Sequence, residues 1–186
     1  MRLTELVHHT LNDHLREGDL AIDATAGNGH DTWYLASRVG EGGKVIAIDI
    51  QESAIESTRS LLSEKTLFDR VTLLVGDHSI ILEQLLEEYK ESISTVVFNL
   101  GYLPGSDKSV KTDAANTIPA LEASTMLLRP SGMLCVTTYS AHLGGKEEAT
   151  TVKEWMSSKE SSGWHIKSHV PVSRNLPPVL WLARKP

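Results

Sequence analysis

The chain has 186 residues, of which 40% are apolar, and it carries 24 acidic residues against 18 lysines and arginines, a formal net charge of −6. This length suits one domain spanning residues 1–186, and the one cysteine, Cys135, excludes an internal disulfide framework and a cysteine-rich zinc site. The acidic balance argues against a basic surface that coats nucleic acid, and no apolar run approaches the roughly 20 residues that span a bilayer.

Short apolar runs alternate with longer amphipathic segments along the chain. The apolar runs predict strands at Leu20–Ala24, Val45–Ile50, Val71–Val75, Thr95–Leu100, Met133–Tyr139, His165–Ser173 and Val179–Ala183. The helical periodicity predicts helices at Leu3–Leu15, Asp31–Val39, Ser53–Leu62, Ile80–Tyr89, Ile118–Leu128 and Lys146–Ser158. We expect Thr117 to cap the fifth helix, with Pro119 in its first turn, and the segment Arg129–Gly132 to end it.

This order of elements predicts an α/β fold with a Rossmann-like, doubly wound sheet. Buried strands that alternate with helices form βαβ units, which build a parallel sheet covered on both faces. Only Arg174–Pro178 joins the last two extended segments, which is too short for a right-handed crossover helix, so we expect them to pair antiparallel. A mostly parallel sheet that closes in a C-terminal antiparallel hairpin is typical of nucleotide-cofactor methyltransferases.

Polar side chains follow four of the predicted strands at the point where each strand ends. These segments are Asp23–Asp31, Asp49–Gln51, Asp77–His78 and Asn99–Pro104. Ligands of open α/β sheets bind outside the carboxyl ends of the strands. The sequence therefore predicts one shared site at this edge of the sheet.

The first of these segments favours a nucleotide cofactor. Gly27 and Gly29 allow the backbone to approach a ligand closely. Asp49 lies 22 residues beyond Gly27, where an acidic side chain accepts hydrogen bonds from ribose hydroxyls. The alternative is that the glycines form only a tight turn and that Asp49 is a solvated strand end.

The loop favours S-adenosylmethionine over a dinucleotide. A dinucleotide fingerprint requires a small residue at the position of Thr32, and the carboxylate of Asp31 would repel a pyrophosphate at the helix start. A sulfonium cofactor with an amino-acid tail tolerates both Asp23 and Asp31. Asp77 can accept a hydrogen bond from an adenine amino group, with His78 beside it.

Four segments carry a resemblance to a known family: DATAGNGHDT, IDIQESA, GDHS and FNLGYLPGSDKS. In these segments the chain resembles the small bacterial tRNA 5-(aminomethyl)-2-thiouridine methyltransferases, formerly described as rRNA methylases, which are class I S-adenosylmethionine-dependent methyltransferases. The resemblance extends from the first strand to the closing hairpin. NGHDT and FNLGYLPGSDK are its specific parts.

The resemblance implies methyl transfer from S-adenosylmethionine to the exocyclic amine of 5-aminomethyl-2-thiouridine at the tRNA wobble position. The partner would be a tRNA anticodon stem-loop, and no metal is required. The residues that would surround the cofactor are Asn28, His30, Asp31, Asp49, Gln51, Asp77 and His78. Those on the acceptor side would be Asn99, Gly101 and Tyr102.

Asn99 and Tyr102 are the candidate catalytic residues. The Asn99 side chain can hydrogen-bond the N–H groups of a neutral amine, while the site aligns nitrogen, methyl carbon and sulfur. Tyr102 can stack on a splayed-out wobble base, or it packs near a turn. Lys108 can contact phosphates, and His142 either contacts substrate or caps a loop.

The remaining residues have simpler interpretations. His8, His9 and His14 are expected to be surface histidines, and Cys135 an inert buried thiol. Trp155 and Trp164 are expected to be packing residues rather than platforms for a base.

Two other functions stay open, a methyltransferase of rRNA or of a small amine, and a cofactor-binding regulatory module without catalysis. The sequence allows a homodimer without establishing one. The start of the chain has no apolar signal region, so we expect a cytoplasmic protein with no membrane partner.

Overall fold

The computed structural model describes residues 3–101, 112–141, 144–171 and 176–186, in which strands alternate with helices. The strands are β1 (Leu20–Asp23), β2 (Lys44–Asp49), β3 (Val71–Val75), β4 (Ile93–Leu100), β5 (Leu128–Thr138), β6 (His165–His169) and β7 (Val179–Arg184). The α-helices are α1 (Leu3–Asn12), α2 (His30–Val39), α3 (Glu52–Glu64), α4 (His78–Tyr89), α5 (Ala114–Leu127) and α6 (Gly145–Ser161). A short 3₁₀ helix at Phe68–Arg70 precedes β3.

These strands form a sheet in the order β3-β2-β1-β4-β5-β7-β6. The five strands from β3 to β5 run parallel, whereas β7 runs antiparallel to both β5 and β6. The predicted doubly wound sheet with an antiparallel C-terminal pair is confirmed. The chain reverses its direction of winding between β1 and β4, and this switch point is where open α/β sheets bind ligands.

Two apolar layers cover the sheet, because successive side chains of a strand point to opposite faces. On β4, Val96 and Phe98 pack in the cluster that includes residues of α4, α5 and α6. Val97, between them, packs in the cluster that includes residues of α1, α2 and α3. A strand buried on both faces shows no alternation of polar and apolar residues, which explains why Val96, Val97 and Phe98 follow one another in β4.

The helix α5 begins four residues before its predicted start, and the predicted N-cap is wrong. Asp113 is the N-cap, and its side chain accepts a hydrogen bond from the Asn116 amide at 3.1 Å. Thr117 is buried within the helix and donates its hydroxyl to Glu148 at 2.6 Å. Pro119 therefore lies inside the helix rather than in its first turn.

The strand β5 also begins earlier than predicted, at Leu128, and includes Arg129–Gly132. Its register against β4 shifts there, because Ile93 pairs with Leu128 whereas Thr95 pairs with Met133. The extra residues leave the ladder as a bulge, with Ser131 at a φ of 61°. The residues that were predicted to stop a helix are accommodated by this bulge.

Three packing predictions are confirmed. Cys135 is 1% exposed in the middle of β5, and its burial raises the pKa of the thiol, which keeps it inert. Trp155 and Trp164 are 7% and 9% exposed and pack in the same apolar layer as Val96 and Phe98.

In the described part of the chain, no helix has the length and apolar character needed to cross a bilayer.

Candidate cofactor and acceptor site

The loop that follows β1 is fixed to the strands on both sides of it. The Ala24 amide donates to the Val97 carbonyl of β4 at 2.9 Å, and the Ala26 amide donates to the Ile48 carbonyl of β2 at 2.8 Å. Because β1 lies between β2 and β4, these bonds hold the loop over the switch point of the sheet. The loop is thus placed where the sequence predicted a ligand.

The glycines of this loop are required by backbone conformation and by close packing. Gly27 and Gly29 have φ values of 54° and 82°, in the left-handed region that favours glycine. A Cβ on Gly29 would lie 2.9 Å from the Cα of Thr58 in α3. The Thr58 hydroxyl also donates to the Gly27 carbonyl at 3.1 Å. The tight turn expected from the glycines is therefore present, and it presses the loop against α3.

Asp49 links the end of β2 to the glycine loop. One of its carboxylate oxygens accepts the Gly27 amide at 2.9 Å, and the other accepts the Gln51 amide at 2.9 Å. Asp49 is therefore no simple solvated strand end. An ionised carboxylate offers about four acceptor positions, so both oxygens keep capacity for a ligand's hydroxyl groups.

Asp23 lies completely buried beneath the loop. Its oxygens accept the Thr32 hydroxyl at 2.6 Å and the Thr25 amide at 3.2 Å. Burial, together with the nearby negative charge of Asp31, raises the pKa of Asp23 to about 7. The structure thus places a carboxyl group with a poorly compensated charge under the loop, where a cation would stabilise its ionised form.

Asp31, in the first turn of α2, connects two other side chains. One oxygen accepts a hydrogen bond from the Asn99 side-chain amide at 2.7 Å, and the other lies 2.6 Å from Nε2 of His8. Asn99 is held a second time, since its backbone amide donates to the Thr25 hydroxyl at 2.7 Å. The structure therefore joins Asp31, predicted for the cofactor side, to Asn99, predicted for the acceptor side.

The prediction of surface histidines is wrong for two of the three residues in the first segment. His8 is half-buried, bonded to Asp31 and stacked on Tyr34, and Nε2 of His14 hydrogen-bonds the Ser94 carbonyl at 3.0 Å. His9 is exposed, as predicted. The docking of α1 against α2 and the sheet produces these contacts, and periodicity within α1 carries no information about them.

Asp77 caps α4 and also reaches α5. One oxygen accepts both the amide and the hydroxyl of Ser79, at 2.8 and 2.7 Å, and the other accepts the Asn116 side-chain amide at 2.8 Å. Partial burial works to raise the pKa of Asp77, but the hydrogen bonds from Ser79 outweigh it and hold the pKa below its ordinary value. Asp77 is therefore ionised and fixed in direction.

His78 packs against the core rather than facing outward. Its ring meets Phe98 edge-on with the ring centroids 5.6 Å apart, and burial lowers the pKa of the imidazole. Its Nε2 atom is buried and has no hydrogen-bond partner among the residues that the structure describes. His78 is thus a neutral histidine beside the site.

Three exposed apolar residues at this edge were missed by the sequence analysis. Ile50 directly follows β2, Val75 ends β3, and Ile80 lies in the first turn of α4. Their side chains are 57%, 53% and 57% exposed, respectively. Because β2 and β3 are neighbours in the sheet, Ile50 and Val75 lie at adjacent strand ends, where ligands of open α/β sheets bind. The available signal was Ile50, the apolar residue directly after Asp49, which the apolar pattern had predicted to be part of the strand.

The other predicted site residues have mixed outcomes. Asn28 and His30 are exposed around the start of α2, and Gln51 precedes α3 without a side-chain cap. The Gly101 carbonyl accepts the Thr112 amide at 2.9 Å. Tyr102, Lys108 and His142 lie outside the described residues.

No group of three or more metal-ligating side chains is found within the described ranges.

A glycine loop at the switch point, an acidic residue ending β2 and a closing antiparallel pair together define a class I S-adenosylmethionine-dependent methyltransferase. A family model described as "Putative rRNA methylase" matches residues 45–185. The chain belongs to this family, as its sequence motifs indicated.

Individual relatives agree with this assignment. The chain is 38% identical to "tRNA (mnm(5)s(2)U34)-methyltransferase, chloroplastic" of Arabidopsis thaliana, over 96% of this chain and 68% of that protein. The solved structure of a Clostridium thermocellum protein described as "putative rRNA-methylase" matches with a TM-score of 0.90 and 35% identity. The match covers 98% of this chain and 96% of that one. A methyltransferase from Streptococcus mutans, solved in complex with SAH, matches with a TM-score of 0.85 and 32% identity, covering 100% and 98%.

The raised pKa of Asp23 makes stability depend on pH. The folded protein binds a proton at this carboxyl up to about pH 7, whereas an unfolded chain releases it near pH 4. We expect this contribution to be full below about pH 4 and to be lost as the pH rises to about 7. Asp23→Asn removes the titration, so the wild-type free energy of unfolding, measured by urea denaturation, should decline relative to that of the variant across this window. Asp69→Asn, at an exposed position, is the control, and parallel profiles for Asp23→Asn and wild type would contradict the assignment.

Proposed function

We propose that the protein transfers a methyl group from S-adenosylmethionine to the aminomethyl nitrogen of 5-aminomethyl-2-thiouridine at the wobble position of tRNA. We choose this substrate because the chain is similar, over 96% of its length, to the Arabidopsis protein whose name specifies this tRNA nucleoside. The family description names rRNA instead. We therefore keep rRNA as the competing substrate in the test below.

The residues at the edge of the sheet fit the cofactor. Asp49 would accept hydrogen bonds from the ribose hydroxyls, Asp77 would accept from the adenine amino group, and the exposed Ile50 and Ile80 would cover the faces of the base. Gly27 and Gly29 allow the close approach that the amino-acid tail requires. Asn28, His30, Gln51 and His78 are the further residues that would surround the cofactor. A cationic ligand near Asp23 would favour the ionised form of this buried carboxyl group. When bound, the cofactor supplies an electrophilic methyl group on a sulfonium sulfur.

Asn99 would hold the acceptor amine. An alkylamine attacks only when it is neutral and its lone pair points at the methyl carbon, so the protein must fix the direction of the N–H groups. The side-chain carbonyl of Asn99 can accept one of these N–H groups, and its position at the end of β4 brings the amine next to the glycine loop. We assign Gly101, Tyr102, Lys108 and His142 to the acceptor side as predictions from the sequence.

A tRNA anticodon stem-loop would be the macromolecular partner, and the protein would act in the cytoplasm, where that substrate is found. Residues 1–186 would form one domain, which the continuous sheet from β3 to β6 supports. A homodimer stays a prediction that measurement of the mass in solution would decide.

The function is tested by nucleoside mass spectrometry. We expect bulk tRNA from cells that lack the protein to accumulate 5-aminomethyl-2-thiouridine, and purified protein with S-adenosylmethionine to convert it to the methylaminomethyl nucleoside. Asn99→Ala protein is the matched control for the add-back. An unchanged wobble nucleoside together with a methyl group missing from rRNA would show that rRNA is the substrate.

Asp49 is expected to control cofactor affinity. Asp49→Asn replaces one acceptor oxygen by a donor, so it loses hydrogen bonds to ribose and weakens the bond to a backbone amide. Hydrogen bonds to a charged group contribute about 1.5–3 kcal/mol each, so the Kd for S-adenosylmethionine, measured by titration calorimetry, should rise more than about tenfold. Glu52→Gln, an exposed acid three residues along, should leave the Kd unchanged. An unchanged Kd in Asp49→Asn would mean that the cofactor lies elsewhere.

Asn99 is expected to control transfer rather than cofactor binding. Asn99→Ala removes the group that orients the amine, and loss of such orientation costs about 100-fold in rate. We expect kcat to fall by about this factor, while the cofactor Kd changes less than about threefold. Single-turnover methylation of an anticodon stem-loop measures the first quantity and calorimetry the second. A rise in Kd without loss of kcat would place Asn99 on the cofactor side.

A further inference from the structure

A chain of hydrogen bonds connects the first helix to the acceptor residue. Nε2 of His8 in α1 lies 2.6 Å from one oxygen of Asp31 in α2, and the other oxygen accepts the Asn99 side-chain amide of β4 at 2.7 Å. Both oxygens of Asp31 are thus engaged by side chains from different elements. His8 and Asp31 are 21% and 12% exposed, so water competes only weakly for these bonds.

These bonds fix which end of the Asn99 amide faces the site. An ionised carboxylate accepts hydrogen bonds and cannot donate them. The amide therefore turns its NH₂ group to Asp31, and its carbonyl oxygen points away from Asp31. That oxygen is the group which can accept an N–H from an acceptor amine. Reversal of the amide would present a second donor to the amine instead.

His8 is itself held in place by Tyr34. The two rings stack with centroids 3.8 Å apart and an interplanar angle of 4°. The Tyr34 hydroxyl donates to the His8 carbonyl, and its oxygen lies 2.9 Å from the Asn12 side-chain amide. The imidazole is thus fixed in plane and in position, as a residue that orients a carboxylate must be.

We propose that His8 is a positioning residue for methyl transfer, which through Asp31 sets the orientation of the Asn99 amide and so the direction of the acceptor amine. This inference rests on the proposed role of Asn99 in holding that amine. It assigns a function to α1, which lies outside the four motif segments. It also gives Asp31 a role on the acceptor side.

Two substitutions at His8 separate its ring from its hydrogen bond. His8→Phe keeps a flat ring to stack on Tyr34 but removes the donor to Asp31. His8→Gln loses the ring but keeps an N–H donor near the position of Nε2. The matched control is His9→Phe, which places the same new side chain at the exposed neighbouring position of α1.

The two variants should diverge in steady-state methylation of an anticodon stem-loop. We expect His8→Phe to lower kcat about tenfold, since the amine is less well oriented, while KM for S-adenosylmethionine stays within about twofold. His8→Gln should retain kcat within about threefold, and His9→Phe should equal wild type. If His8→Phe is fully active and His8→Gln is impaired, the residue only packs α1 and the proposal is wrong.

Asp31→Asn tests the second step of the relay. The new amide can present either an oxygen or an NH₂ group to Asn99, so the orientation of Asn99 is no longer fixed. We expect kcat to fall at least as far as in His8→Phe, with the Kd for S-adenosylmethionine changed less than about threefold. A large rise in that Kd with normal kcat at saturation would make Asp31 a cofactor residue and overturn the relay.

A measurement without any reaction separates this inference from the proposed function. The Asn99 side-chain NH₂ gives a ¹⁵N–¹H resonance pair, which is assigned by its disappearance in Asn99→Ala. His8→Phe should shift this pair in the unliganded protein, whereas His8→Gln and His9→Phe should leave it close to its wild-type position. An identical resonance in wild type and His8→Phe overturns the relay. If the shift occurs but wild-type protein fails to methylate the stem-loop, the proposed substrate is wrong and the relay stands.

Discussion

The bond between the Asp49 carboxylate and the Gly27 amide is the interaction on which the site depends. It joins the end of β2 to the loop after β1 at 2.9 Å, and the loop is joined to β4 through the bond between Ala24 and Val97. Three neighbouring strand ends are thereby fixed relative to one another. The glycine conformations and the close packing on Thr58 keep the loop in the one shape that satisfies these bonds. A ligand that contacts the glycine loop therefore meets a surface that is already formed, so little ordering of this loop accompanies binding.

The same arrangement gathers negative charge. Asp23, Asp31 and Asp49 lie around one loop, and the buried member responds with a raised pKa. Hydrogen bonds from two backbone amides satisfy Asp49, and side chains from α1 and β4 satisfy Asp31. Asp23 also accepts two hydrogen bonds, from one hydroxyl and one amide, but it is completely buried, so a nearby cation would stabilise its ionised form most.

The sequence was sufficient to predict most of the sheet, because the central strands β1, β2 and β4 are buried on both faces and therefore appear as runs of mostly apolar residues. It also placed Asp49 and Asn99 correctly at strand ends, since that placement follows from strand boundaries alone. It failed where tertiary contacts decide the structure. The bulge at Ser131 is defined by pairing with β4, and the cap of α5 was hidden by Pro119, which suggested a later start. His8 was assigned to the surface because its partners Asp31 and Tyr34 lie more than twenty residues away.

Asp31 shows why cofactor and acceptor sides cannot be assigned separately in a fold of this size. It lies in the first turn of α2, at the positive end of the helix dipole, which stabilises its charge. From there it contacts Asn99 on the acceptor side, and its field raises the pKa of Asp23 on the cofactor side. A change in the charge of Asp31 is therefore expected to act on the Asn99 amide through a hydrogen bond and on the protonation of Asp23 through space. Of these three interactions of Asp31, the contact with His8 involves neither the predicted acceptor residue nor a second carboxyl group. A substitution at His8 can therefore alter the orientation of the Asp31 carboxylate without removing its charge.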